Sequence, residues 1–145
     1  MTSEEFKRMI QRKHSRPGMR ANQLTKAVLQ VLNHSGYKAW RNNTVGVFDV
    51  NYAVDRVTKE KPATKAQLRK ILNGCRRKSQ TIPGQPDIIG YQKRTGKFIG
   101  VEIKAGKDKL STHQIRFMDE ANKAGAMVIE CREVSDVVEL IEKLG

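Results

Sequence analysis

Residues 85–106 read QPDIIGYQKRTGKFIGVEIKAG, two apolar runs on either side of a basic turn. Each run is short, rich in β-branched residues and bounded by Pro or Gly, so the stretch predicts a β-hairpin with strands over Asp87–Tyr91 and Phe98–Lys104. It also places Asp87, Glu102 and Lys104 in those strands, where an unpaired charge is costly. Side chains alternate along a strand, so Ile99, Val101 and Ile103 face one side and Phe98, Gly100, Glu102 and Lys104 the other. Pairing through the turn brings Asp87 opposite the end of VEIK. The register therefore gathers two carboxylates and one amine at one edge of a sheet.

Read as structure alone, the cluster is an ion-paired group in which Lys104 neutralises the two acids. Such a pair contributes little, because desolvation offsets much of the attraction. Read as chemistry, the carboxylates hold Mg2+ or Mn2+, hard cations that prefer oxygen ligands and keep positions open for water and phosphate oxygens. A bound ion of this kind acidifies water and stabilises the charge that grows on a phosphodiester under attack. Lys104 is then placed to orient or deprotonate the attacking water and to bind a phosphate oxygen.

Outward from the hairpin, NQLTKAVLQVLNHSG predicts an amphipathic helix from an N-cap at Asn22 to Gly36, with Leu24, Ala27, Val28 and Val31 on one face. YKAWRNN follows as a strand, with Tyr37, Ala39 and Arg41 on one side and Lys38 and Trp40 on the other. Beyond the hairpin come a helix over Thr112–Ala124, a strand AMVIEC and a closing helix SDVVELIEKL. The order αβ(insert)ββαβα predicts an α/β fold, a mixed sheet flanked by helices, in one domain over residues 1–145. Residues 1–20 read as a basic arm broken at Pro17-Gly18, and 44–80 as a basic insertion: TVGVFDVNYAV as strand or extended loop, TKAQLRKILNGCRRK as a helix closing near Gly74.

The 145 residues carry a net charge of +13. Residues 1–80 hold 18 Lys and Arg against 5 Asp and Glu, whereas 81–145 hold 10 against 10, so the whole excess lies in the first part. A segregated positive field suits a polyanion, since each neutralised phosphate releases counterions. No apolar run approaches bilayer length and no secretory signal opens the chain, which points to a cytoplasmic protein without a membrane partner. Cys75 and Cys131 lack metal or disulfide spacing and read as lone thiols.

PD at Pro86-Asp87 followed by EIK at Glu102–Lys104 resembles the PD-(D/E)XK nuclease superfamily. The fuller pattern GQPDIIG…GVEIKAG…LSTHQ…AG resembles its virus-type replication-repair nuclease (VRR-NUC) branch, over about Asn22 to Cys131. The resemblance implies a restriction-endonuclease-like core; the basic arm and the insertion after the first strand are not explained by it. It assigns metal binding to Asp87, Glu102 and the Ile103 main-chain carbonyl, and makes Lys104 the catalytic lysine. It also picks out Gln114, which shares a stripe with Phe117, Met118 and Ala121; a capping box from Ser111 to Gln114 explains the same residue without chemistry. Members usually carry an acid on the first helix where Gln23 stands, an amide that can ligate but brings no charge. DNA contacts fall to Arg41, to Arg76, Arg77 and Lys78, and to Lys107 in the loop AGKDKL.

The implied activity is endonucleolytic hydrolysis of DNA, on branched substrates such as Holliday junctions and by a homodimer. Flap, nicked or linear duplex DNA is the alternative substrate, and a DNA-binding module without catalysis the alternative class. GYQKRTGKF is no phosphate-binding loop, since Phe98 stands where Ser or Thr is needed and a strand follows instead of a helix. Trp40 reads as packing in preference to a base-stacking residue.

Overall fold

In the computed structural model, which describes residues 20–42, 48–76 and 82–144 together with Thr2, Glu5, Arg8 and Met9, the chain runs α1 (Ala21–His34), β1 (Tyr37–Arg41), α2 (Val50–Glu60), α3 (Lys65–Asn73), β2 (Ile88–Gln92), β3 (Phe98–Ile103), α4 (Thr112–Lys123), β4 (Met127–Cys131) and α5 (Val134–Leu144). Arg77 and Lys78 lie outside the described residues, as does most of the arm expected over 1–20. The four strands form one sheet in the order β1-β2-β3-β4. β1–β2 and β2–β3 are antiparallel, and β3–β4 is parallel across α4. This is the mixed α/β sheet expected from the hairpin and the βαβ pattern behind it.

Alternation gives the sheet two unlike faces. On one, Ile88, Ile99, Val101, Ile103 and Cys131 meet Leu24, Ala27, Val28, Val31 and Leu32 of α1 and Val134, Val137, Val138 and Ile141 of α5 in a continuous core. Each such fully buried aliphatic side chain stabilises the fold by about 1.5–3 kcal/mol relative to exposure. Helix α4 lies over β4 and buries no residue fully. Its half-buried positions are Gln114, Phe117, Met118 and Ala121, the stripe expected from the sequence. Among the described residues no helix is long and apolar enough to cross a membrane.

Two expected details change. Helix α1 starts at Ala21 with Arg20 as N-cap, because Gln23 reaches back to the Arg20 amide (3.3 Å). Asn22 lies one position inside and accepts from Arg41 Nη2 (3.2 Å). The stretch around NYAV is helical, not extended: Asp49 caps the start by accepting from the Tyr52 amide (3.0 Å), which outweighs the β preference of its valines. Residues Thr44–Thr81 form a compact unit of their own, with Ala53, Ile71 and Cys75 as its small core. The backbone bridge between Phe48 and Arg76 joins its two ends.

Both edges of the sheet are closed in the same way. Asn33 at the end of α1 donates from Nδ2 to Ala39 O (2.9 Å) and accepts from the Ala39 amide (3.1 Å). Asn122 at the end of α4 treats Val128 alike, with bonds of 2.9 and 2.8 Å. In each case glycine at the third position after the Asn, Gly36 or Gly125, takes positive φ (88° and 93°) and turns the chain back onto its helix. The shared pattern is Asn-x-x-Gly-x-x before the edge residue, and the amide stands where a neighbouring strand would bond. Asn33→Ala and Asn122→Ala should each lower stability by about 1–3 kcal/mol by leaving an edge amide and carbonyl without these partners. The losses should add in the double variant, since the sites are on opposite edges. Urea unfolding measures both.

Candidate active site

Asp87 immediately precedes β2, and three contacts set its position. The Asn42 amide donates to Asp87 O (2.7 Å), and Asn42 Nδ2 donates to Pro86 O (3.1 Å) and Gln85 Oε1 (3.2 Å). Pro86 is fully buried against Gly100, where a Cβ would stand 2.7 Å from Pro86 Cγ. Gly84, at φ +83°, lies so close to the start of α4 that a Cβ would be 2.1 Å from His113 O. Side chains at positions 84 and 100 would push this turn off the sheet and the helix. The glycines of GQPD and FIGVEIK thus have a structural reason next to the charged residues.

The strands then bring the expected residues together. Asp87 Oδ2 accepts from the Ile103 amide (2.9 Å), which joins the start of β2 to the end of β3. Glu102 is 3% exposed, the one buried charged residue among those described. Its Oε1 accepts from Lys104 Nζ (3.0 Å) and from Gln114 Nε2 (2.5 Å). Its Oε2 is buried with no hydrogen-bond partner. Burial pushes the Glu102 carboxyl above the ordinary carboxylate value of 4.5, opposed by the Lys104 hydrogen bond, aided by the nearby Asp87 charge, and opposed again by the Lys104 charge and the Asp87 main-chain amide.

Gln114 makes two sets of contacts. Its Oε1 accepts from the Ser111 amide (2.8 Å), and its own amide donates to Ser111 Oγ (3.3 Å), so the capping box forms. The same carboxamide spends its Nε2 on Glu102. Gln23 is exposed in the first turn of α1, with its oxygen on the Arg20 amide, and it makes no hydrogen bond to Asp87 or Glu102. Arg41 and Lys107 are exposed in the main unit, and Arg76 is exposed in the 44–81 unit.

Three supports were missed in the sequence. Asn42 is one, legible only as the residue that directly follows a strand. Glu130 is another, directly beside Glu102 in the parallel register. The third is Arg132, whose Nη2 meets Glu130 Oε1 (2.6 Å) and Asp108 O (2.6 Å) while its Nη1 donates to Gly106 O (3.2 Å). It ties down the loop that follows Lys104.

The donor set suits a hard cation. Carboxylate oxygens from two strands converge, and a bare buried oxygen beside them would be costly without a cationic ligand. Among the described residues no group of three or more His, Cys, Asp and Glu side chains gathers, so any ion here would complete its shell from main chain, water or substrate.

A VRR-NUC domain model matches residues 19–135. The chain belongs to the VRR-NUC family. The match spans every strand of the sheet and the whole charged cluster, and it makes this chain a nuclease domain of the PD-(D/E)XK type. No curated protein matches the chain.

Because the fold holds the Glu102 carboxyl above its ordinary value, the folded protein binds that proton more tightly than the unfolded chain. The stabilisation is present at low pH and is lost as pH rises through the raised value. In metal-free VRR-NUC domain, the melting temperature of Glu102→Gln minus that of wild type should therefore grow from pH 4.5 toward neutrality. A difference that stays constant or shrinks counts against a strained carboxylate at this position.

Proposed function

We propose that this VRR-NUC domain is a divalent-metal-dependent endodeoxyribonuclease that hydrolyses phosphodiesters in branched DNA. The observation that carries the reading is Glu102: a buried carboxylate with one oxygen held by Lys104 and Gln114 and the other bare, joined through the Ile103 peptide to Asp87. Asp87, Glu102 and the Ile103 carbonyl would hold Mg2+ or Mn2+, with no ligand contributed by Gln23. Such an ion, when bound, supplies Lewis acidity toward the phosphate and eases deprotonation of water.

The chain's own residues do the rest. Gln114 fixes Glu102 Oε1, so that the second oxygen is presented in one orientation. Lys104, with its side chain 11% exposed, orients the attacking water and donates to a non-bridging phosphate oxygen as charge grows there. Water oxygen forms a bond to phosphorus and releases a proton to solvent, the opposite P–O bond breaks, and the departing oxygen takes a proton from solvent. Arg41, Lys107 and the basic 44–81 unit with Arg76, Arg77 and Lys78 neutralise backbone phosphates. Family members that this chain resembles are associated with branched DNA and with junction cleavage by homodimers, and two copies would present two sites to two strands.

Cleavage of four-way junction, flap, nicked and linear duplex DNA with Mg2+ or Mn2+ tests the reading. Turnover on the best substrate should fall by about a hundredfold or more in Asp87→Asn, Glu102→Gln and Lys104→Ala. Gln114→Ala should fall less, since it acts through Glu102. Binding of every substrate without metal-dependent cutting would overturn the enzyme reading, and unchanged cutting by the three variants would overturn the site.

A further inference from the structure

The sheet face that bears Asp87 and Glu102 continues away from them as an aromatic surface. Strand alternation places Lys38, Trp40, Ile89, Tyr91 and Phe98 on that face, opposite the core. Trp40 is 47% exposed, Tyr91 42% and Phe98 38%. Lys38 is Tyr91's partner across β1–β2, and Phe98 is its partner across β2–β3, so the three form one row. Trp40 stands edge-on to Tyr91 with ring centroids 6.4 Å apart. Trp40 thus packs on Tyr91, as its sequence reading expects, and still leaves nearly half of its surface open.

Charge decides what this surface suits. Lys38 stands in the row, and Lys93, Arg94 and Lys97 follow in the turn joining β2 to β3. A second copy docked face to face would bring these cations against their own images, at a cost from like charges. Nucleobases offer π faces to the rings while their phosphates meet the lysines, and this combination recurs where proteins bind single strands. Paired bases inside a duplex hide those faces, so the partner is unpaired. Phe98 and Glu102 are four residues apart along one strand, about 13 Å.

We propose that Trp40, Tyr91 and Phe98 form a stacking platform for unpaired nucleotides that flank the scissile phosphate, with Lys38 on their backbone. The proposal rests on the nuclease reading above and narrows its substrate to DNA with a single-stranded segment beside the cut.

Trp40 is the chain's only tryptophan, so its fluorescence reports on this platform alone. Without divalent metal, a thymidine oligomer should quench the emission saturably, with the same midpoint as anisotropy of the labelled strand. Tyr91→Ala should weaken binding about five- to a hundredfold. Trp40→Ala should do the same while Trp40→Phe retains most of the affinity, with circular dichroism confirming that each variant is folded. Emission that ignores a bound strand overturns the platform, as does emission that changes with protein concentration alone, the mark of a second copy. Cleavage with metal but no Trp40 response sinks the platform and leaves the nuclease standing. A Trp40 response with no cleavage of any substrate does the reverse.

Discussion

The carboxylate of Glu102 is the constraint on which the rest of the structure turns. A charge taken out of water costs several kcal/mol after relaxation, and a single Lys partner rarely restores it. Here Lys104 and Gln114 both spend their donors on one oxygen and the second is left bare. An arrangement selected for stability alone would place an apolar residue at position 102, as at 99, 101 and 103 on the other face. A carboxylate of this kind in the middle of a mixed sheet suits a cation site better than a purely structural ion pair.

Most of the surrounding architecture serves to hold that carboxylate and Asp87 in register. α1 and α5 bury the opposite face of the sheet, so β3 cannot shift by a residue without moving Ile99, Val101 and Ile103 into solvent. The turn before β2 is pinned from three sides, by Asn42, by Pro86 on Gly100 and by Gly84 against α4. Gln114 reaches the site because its helix begins where the capping box and the Gly84 contact place it. Asn33 and Asn122 each satisfy the amide and carbonyl of one edge residue, Ala39 and Val128.

The fold and the charged cluster were legible because both follow from strand alternation. Once QPDIIG and FIGVEIK are read as a hairpin, the register alone puts Asp87 beside Glu102, and the Ile103–Asp87 hydrogen bond is its direct expression. What escaped depends on contacts distant in sequence or on caps that compete with composition. Val50 and Val54 argued for extended chain, and the Asp49 cap made a helix. Asn22 looked like an N-cap, yet the role went to Arg20 through Gln23. Arg132 and Asn42 act on loops 24 and 44 residues away, which no local pattern encodes. Trp40 is exposed because it alternates onto the face opposite the core, a fact available from the sequence once that face was known to be only partly covered.

Everything proposed for this site requires that the bare oxygen of Glu102 receive a divalent ion. Titration of Mn2+ into metal-free protein, with free ion followed by electron paramagnetic resonance, measures this without any substrate. Saturable uptake by the wild type that is lost in a folded Glu102→Gln variant is the predicted result. Equal uptake by the two proteins, or none by either, would contradict it.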